Sequence, residues 1–306
     1  MIHELRNLPA PAKLNLFLHV TGRRTDGYHL LETVFQLIEL GDRIHLKRRD
    51  DGTVLLERPL PGVPPEADLT VRAARLLARQ TGCSLGVSIA LDKRIPIGGG
   101  LGGGSSDAAT VLLGLVRLWD LSISRADLMR IALSLGADVP FFIFGQTAYA
   151  TGVGERLRAC PQPDRHFVLL APPVSVATAA VFSSSGLTRN TKPITIAGLS
   201  RGGRVFLGRN DLEPTVIASH PEVGAAISRL VTAADSAGVS PLRVRMSGSG
   251  STVFLPVDNA SQAHRIVQRL QSGAVPGPDR SWSVRSLAMH PLRDWAFSAR
   301  RSHGSG

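Results

Sequence analysis

A chain of 306 residues that is 43% hydrophobic can bury a large core and is long enough for two domains, and it contains no apolar run of membrane-spanning length. Two cysteines, Cys83 and Cys160, and nine histidines in no H-x-x-x-H or H-E-x-x-H spacing argue against a disulfide framework and a transition-metal site. The formal charge of +11 would suit nucleic acid, but the basic runs are short, as at Lys47-Arg48-Arg49, and 5% aromatic content leaves few stacking platforms, so anionic small substrates fit better.

The N-terminus, MIHELRNLPAP, has no basic region followed by an apolar run, so a cytoplasmic location is expected. From Ala10, Leu14, Leu16, Leu18 and Val20 alternate with Lys13, Asn15, Phe17 and His19, which predicts a strand with one apolar face. The other face either meets water at a sheet edge or lines a pocket. An Asp26-Gly27 turn follows, then Tyr28 and His29, placed at a solvated hairpin tip or against a ligand. A second strand runs through Phe35 and Ile38. After the proline-rich PLPGVPPEAD, a helix capped by Asp68 and closed by Gly82 is predicted, then a strand into Lys93.

Pro96 to Ala109 reads PIGGGLGGGSSDAA, with six glycines between Gly98 and Gly104. So much glycine is unfavourable in any regular element, so the segment's working groups are its amides. Ser105, Ser106 and Asp107 are helix-capping types, and the apolar pattern after them is helical. A bare loop opening a helix is a phosphate site, because unpaired N–H groups and the positive helix end point the same way. The spacing Gly98-x-Gly100-x-x-Gly103 satisfies the dinucleotide fingerprint, but the preceding strand alternates and ends in Asp92, Lys93 and Arg94, unlike a buried parallel strand. The lysine of G-x-x-x-x-G-K-[S/T] is missing.

Further on, Ser124 and Asp127 form a capping box and Gly136 stops that helix. Asp138 then stands in a short turn before Val139 to Phe144, an apolar run predicted as a strand, and is either a turn residue or an acid held at the mouth of a site. Composition changes after Pro161-Gln162-Pro163, the expected domain boundary. Residues 183–209 are expected to be loop. Beyond 163 the order is strand, helix, strand, strand, helix, strand, with the Gly248 to Ser251 turn joining the central hairpin.

A-P-A-K-L-N-L from Ala10, G-x-R-x-D-G-Y-H from Gly22, the glycine run, L-G-A-D-V-P from Leu135 and S-G-S-G-S-T-V-F from Ser247, in that order, resemble the GHMP kinase superfamily. The resemblance spans nearly the whole chain and is weakest over 183–209 and in the tail. It implies an α+β, two-domain GHMP kinase fold: an N-terminal ATP-binding domain like ribosomal protein S5 domain 2 over 1–163, and a ferredoxin-like domain over 164–299. Residues 300–306 are expected to be a disordered tail.

The resemblance further implies phosphoryl transfer from ATP to an alcohol, with Asp138 as catalytic base and Lys13 as its neighbouring cation. It places the triphosphate on Pro96, Ile97, Gly98, Gly99, Gly100, Leu101, Gly102, Gly103, Gly104, Ser105 and Ser106. Contacts to a cytidine-diphosphate sugar alcohol fall at Asn15, Tyr28, His29, Phe35 and Phe182. Mg2+ would arrive with ATP, near Ser105 and Ser106, with no site held by protein alone. The Gly248 to Ser251 turn would close over the site. Asp68 stands where members tend to carry asparagine near the adenine, so the base contact is left open. A small-molecule substrate, no nucleic acid, no membrane, and a monomer or weak homodimer are expected. The alternatives are a superfamily kinase for another small alcohol, such as homoserine or mevalonate, and a basic RNA-binding protein.

Overall fold

The computed structural model describes residues 2–194, 208–272 and 277–296. The expected tail, and the part of the expected loop from 195 to 207, lie outside the described residues. Strand β1 (Glu4–Arg23) turns back into a long antiparallel β2 (His29–Arg49). Gly27, at φ +89°, makes the reversal, and the Tyr28 amide donates to Asp26 Oδ1 at 3.2 Å. Of the two placements expected for the second face of β1, the solvated edge is corrected and the pocket holds for Lys13 and Asn15. Ala10 to Val20 is buried throughout, so Lys13, Asn15 and His19 lie inside the molecule.

Strand β2 changes partners along its length. Thr33 to Phe35 pair with β5 (Ala148–Thr151), Leu37 and Ile38 with the end of β10 (Arg280–Leu287), and Arg43 to Arg49 with β4 (Gly86–Asp92). Strand β3 (Val54–Leu56) runs parallel to β4, and β6 (Arg156–Ala159) pairs with β5. Helices α1 (Leu69–Thr81) and α2 (Gly103–Leu118) pack against each other, and α2 also packs on β1 and β2. As expected, Asp68 caps α1 by accepting from the Thr70 amide at 2.8 Å, and Gly82 closes it in the left-handed region at φ +67°. Helix α3 (Arg125–Leu133) begins at its Ser124 cap and ends at Ser134, two residues before the expected Gly136 stop.

Val139 to Phe144 is a helix, α4, and not the predicted strand. Pro140 sits in its first turn, where a missing N–H costs nothing, and Gly145 ends it at φ +70°. Phe141, Phe142 and Ile143 are fully buried, so no polar face marks the turn of the helix.

Strand β7 (His166–Ala171), helices α5 (Thr178–Ser183), α6 (Glu213–Ser219) and α7 (Pro221–Ser236), strands β8 (Arg245–Met246) and β9 (Val253–Val257), helix α8 (Ala260–Gln271) and β10 complete the chain. The antiparallel order β10-β7-β9-β8 is that of the split pattern predicted for this half. Through β10 and β2 it joins one ten-stranded sheet.

A core cluster of Leu14, Leu16 and Phe17 from β1 with Phe167, Leu169, Phe254 and Val284 spans the junction. Truncating Phe254, which is fully buried, should remove a packing anchor from both sides. Phe254→Ala is expected to cost about 3–5 kcal/mol in denaturant unfolding, the usual range for a buried phenylalanine. A loss below about 1 kcal/mol would show that the junction does not depend on this cluster.

Candidate active site

The glycine run is the floor of a cavity of about 430 Å³ lined also by Lys13, Asn15, Asp68, Lys93, Asp138, Phe182 and Gly248. Helix α2 starts at Gly103, earlier than the capping types Ser105 and Ser106 suggest. Its N-cap is Gly102 at φ +71°, which makes no side-chain cap. Among the described residues, no amide from Gly100 to Ser105 donates to another protein atom, leaving a row of open donors at the helix start. Ser106 is different. Its amide donates to the Gly102 carbonyl at 2.9 Å, and its buried hydroxyl to the Pro11 carbonyl at 2.7 Å, tying α2 to β1.

Glycine is required at Gly100 by crowding. At φ +72°, a Cβ there would stand 2.2 Å from the Ser247 carbonyl oxygen and 2.8 Å from the Gly250 amide nitrogen. The turn from the second half thus presses on the loop as anticipated: Ser247 Oγ donates to the Gly100 carbonyl at 3.2 Å and the Thr252 amide to the Gly99 carbonyl at 3.1 Å.

Beside the loop stand Lys13 and Asp138, with Lys13 Nζ 3.5 Å from Asp138 Oδ2. Strand β1 delivers the lysine. Its amide donates to the Leu101 carbonyl at 3.0 Å, and its buried ammonium donates to Asn15 Oδ1 and lies 5.2 Å from the Phe35 ring centre. Asn15 in turn donates to Thr33 Oγ1 at 3.0 Å, which fixes its amide with the oxygen toward the lysine. Asp138 is the residue before α4, with no capping bond and a side chain 33% exposed. An acid at this point is reachable by a bound molecule, and Lys13 is held against it.

The remaining sequence candidates divide. Phe35 and Phe182 line the cavity beyond Lys13 with Leu18, Leu31 and Thr33. His29 is buried and stacks on Phe182 with ring centres 5.1 Å apart, behind that lining. Tyr28 lies on the hairpin tip, 64% exposed and outside the lining. Asp68 lines the opposite end near Leu60, Val63 and Leu69.

Two groups escaped the sequence reading. Arg189 donates from Nε to His29 Nε2 at 3.0 Å; it was hidden in a stretch expected to be loop. Burial, then the charges of Arg189 and Arg23, hold His29 below the ordinary histidine range. Under the loop, Lys93 Nζ donates to Asp107 Oδ2 at 2.6 Å and to Asp42, whose other oxygen accepts from the Ile95 amide at 2.8 Å. Lys93 directly before the glycine run was the available signal.

The chain matches the model of the GHMP kinases N terminal domain over residues 68–146 and that of the GHMP kinases C terminal over 199–275. A protein of Aromatoleum aromaticum named 4-diphosphocytidyl-2-C-methyl-D-erythritol kinase is 50% identical over 292 residues, covering 95% of this chain and 97% of its own. One of Thiobacillus denitrificans with the same name is 51% identical over 287 residues, 94% and 97% of the two chains. The chain belongs to the GHMP kinases. This GHMP kinase also matches a crystal structure of 4-(cytidine 5'-diphospho)-2C-methyl-D-erythritol kinase, with TM-score 0.73 and 34% identity over 92% of this chain and 98% of that one. A homoserine kinase from Cytophaga hutchinsonii shares the fold, with TM-score 0.71 and 19% identity over 95% and 96% of the two chains.

In this GHMP kinase the buried group under the glycine loop gives a pH signature. Burial pushes Asp107 up to about 8, against the pull of Lys93 and with the help of the Asp42 charge. Between about pH 5 and pH 8 the folded state therefore holds a proton at Asp107 that the unfolded chain has released, so this residue's contribution to stability falls as pH rises. Urea unfolding of wild type and Asp107→Asn across that window should show wild type losing ground to the variant toward alkaline pH. A difference that is constant with pH would contradict the assignment.

Proposed function

We propose that this GHMP kinase transfers the γ-phosphate of ATP to the 2-hydroxyl of 4-diphosphocytidyl-2-C-methyl-D-erythritol, a step in non-mevalonate isoprenoid precursor biosynthesis. The observation that carries the reading is one cavity holding three parts: the open amides of Gly100 to Ser105, the Lys13–Asp138 pair, and an end lined by Phe35 and Phe182. Relatives of that name, about 50% identical over nearly the full chain, support the choice of acceptor.

Phosphoryl transfer asks little covalent chemistry of a protein, so the catalytic gain lies in alignment and charge stabilisation. The triphosphate lies along the Pro96 to Ser106 loop, where the open amides of Gly100 to Ser105 replace its water. Asp138 accepts the proton of the acceptor hydroxyl, a poor nucleophile while it keeps that proton. Lys13 balances the charge that grows on the attacking oxygen and the transferred group. Asn15, locked by Thr33, sets the lysine's position and meets the sugar alcohol.

Mg2+ would enter with the triphosphate, whose oxygens suit a hard cation. Ser105 beside the open amides is the residue placed to meet it, directly or through water, since the Ser106 hydroxyl is spent on Pro11. The ion neutralises phosphate charge when bound. Stacking of Tyr28 on the cytosine would bring the exposed hairpin tip over the Phe182 end of the cavity, with His29 backing Phe182 as the opposite wall. Adenine lies toward Asp68.

We place the division between the ATP-binding half and the ferredoxin-like half at residue 163. We read the enzyme as cytoplasmic, working as a monomer or weak homodimer without nucleic-acid or membrane partners. No described helix is long and apolar enough to cross a membrane.

With Mg-ATP and the cytidine-diphosphate acceptor, Asp138→Asn should lower kcat by about 10² to 10⁴ while ATP affinity, measured by titration, stays near wild type. Near-normal turnover in that variant would remove Asp138 from the base role. Added CMP or CDP should compete with the acceptor. A kinase for homoserine or mevalonate would ignore both.

A further inference from the structure

Arg189 is placed where one guanidinium can hold two walls of the acceptor pocket together. Its Nε donates to His29 Nε2 at 3.0 Å. Its Nη2 donates to the Phe182 and Ser184 carbonyls at 3.2 and 2.6 Å, and its Nη1 to the Leu187 carbonyl at 3.1 Å. His29 belongs to the first residues of β2, and Phe182 to α5 in the other half of the chain. Their rings stack 5.1 Å apart, and Arg189 is bonded to both residues.

The segment that carries Arg189 is itself fastened to the sheet. The Thr191 amide donates to the Val20 carbonyl at 3.1 Å. The Ile194 amide donates to both oxygens of the buried Glu32, at 3.0 and 2.9 Å, and Glu32 also accepts from the Tyr149 hydroxyl at 2.5 Å. Leu187 is buried in the core of the second half. The guanidinium therefore projects from a segment anchored on both sides of it, and planar, multidentate donation is a task that lysine cannot match.

The bond to His29 also has a chemical consequence. A guanidinium has donors and no acceptor, so His29 Nε2 must present a lone pair, and the neutral ring carries its proton on Nδ1. Protonating Nε2 would set N–H against N–H. The charges facing this ring are Arg189 and Arg23, both cationic, and its stacking partner Phe182 is uncharged. Both cations oppose a charged imidazole.

We propose that Arg189 is the positioning residue of the acceptor pocket, fixing His29 in its neutral, Nδ1-protonated form against Phe182 and so setting affinity for the nucleoside-diphosphate end of the acceptor. The proposal rests on the acceptor assigned above, although the state of His29 is a property of the free protein. Arg189 touches neither ATP nor the reacting atoms. Its effect falls on acceptor binding.

Two measurements test this on Arg189→Met and Arg189→Lys. Histidine side-chain NMR of the ligand-free protein, with the His29 signals assigned from a His29→Asn variant, reads tautomer and titration. Wild type should show the Nδ1–H form, and Arg189→Met should lose that preference and protonate at higher pH, while Arg189→Lys, keeping the charge, should titrate near wild type. Steady-state kinetics should then show acceptor KM raised about tenfold or more in Arg189→Met, as expected for a lost charged hydrogen bond, with kcat and ATP KM moving far less. That rise should steepen toward acid pH, and Arg189→Lys should fall between the two. An unchanged His29 signal, an unchanged acceptor KM, or equal damage to ATP KM would overturn the proposal. Wild type that shows the expected His29 behaviour but no turnover of the cytidine-diphosphate acceptor would instead sink the function assigned above.

Discussion

Everything in this molecule is arranged around a place where three stretches of backbone meet with no room for a side chain. Strand β1 at Lys13, the glycine run at Gly100 and the turn at Ser247 are bonded main chain to main chain or through one serine hydroxyl. A single methyl group at Gly100 would stand 2.2 Å from the Ser247 oxygen. Close approach of this kind uses up carbonyls, as at Gly99, Gly100 and Leu101, while among the described residues the amides of Gly100 to Ser105 keep no protein partner. The contact that joins the two halves is thus also the one that shapes this loop.

Charge follows the same construction. Lys13 is a buried cation, and burying one is costly unless it is paired and hydrogen-bonded. Its partners are Asn15 and Asp138, both of which can also bond a hydroxyl. Lys93 sits under the loop between Asp42 and Asp107 and holds the base of α2 to the start of the loop. Both lysines reach the cavity lining, Lys93 held between Asp42 and Asp107 and Lys13 against Asn15 and Asp138.

Much of this was legible in the sequence because it depends on local chemistry. Asp68 and Ser124 as caps, Gly82 as a stop, the glycine run before a helix, and the late turn between β8 and β9 are all written in residues whose backbone preferences are strong. Asp138 was visible as an acid in a tight setting. The run after it was misread because Val139 to Ile143 is buried all round, and a short apolar run carries no period to separate helix from strand. Pro140 followed by Gly145 was the cue left unused. The covered second face of β1 and the start of α2 at Gly103 were not legible either, since both are decided by distant partners. Arg189 sits among serine, glycine and threonine, and only the fold shows that His29 is its partner.

The central claim is that bare amides hold the triphosphate while Asp138 faces the oxygen to be phosphorylated. A crystal structure of the ternary complex with a non-hydrolysable ATP analogue and the cytidine-diphosphate sugar alcohol tests it most directly. The account predicts phosphate oxygens within hydrogen-bond reach of the Gly100 to Ser105 amides and the acceptor 2-hydroxyl against the Asp138 carboxylate, in line with the terminal phosphorus. Phosphates bound away from the glycine run, or an acceptor hydroxyl remote from Asp138, would contradict it.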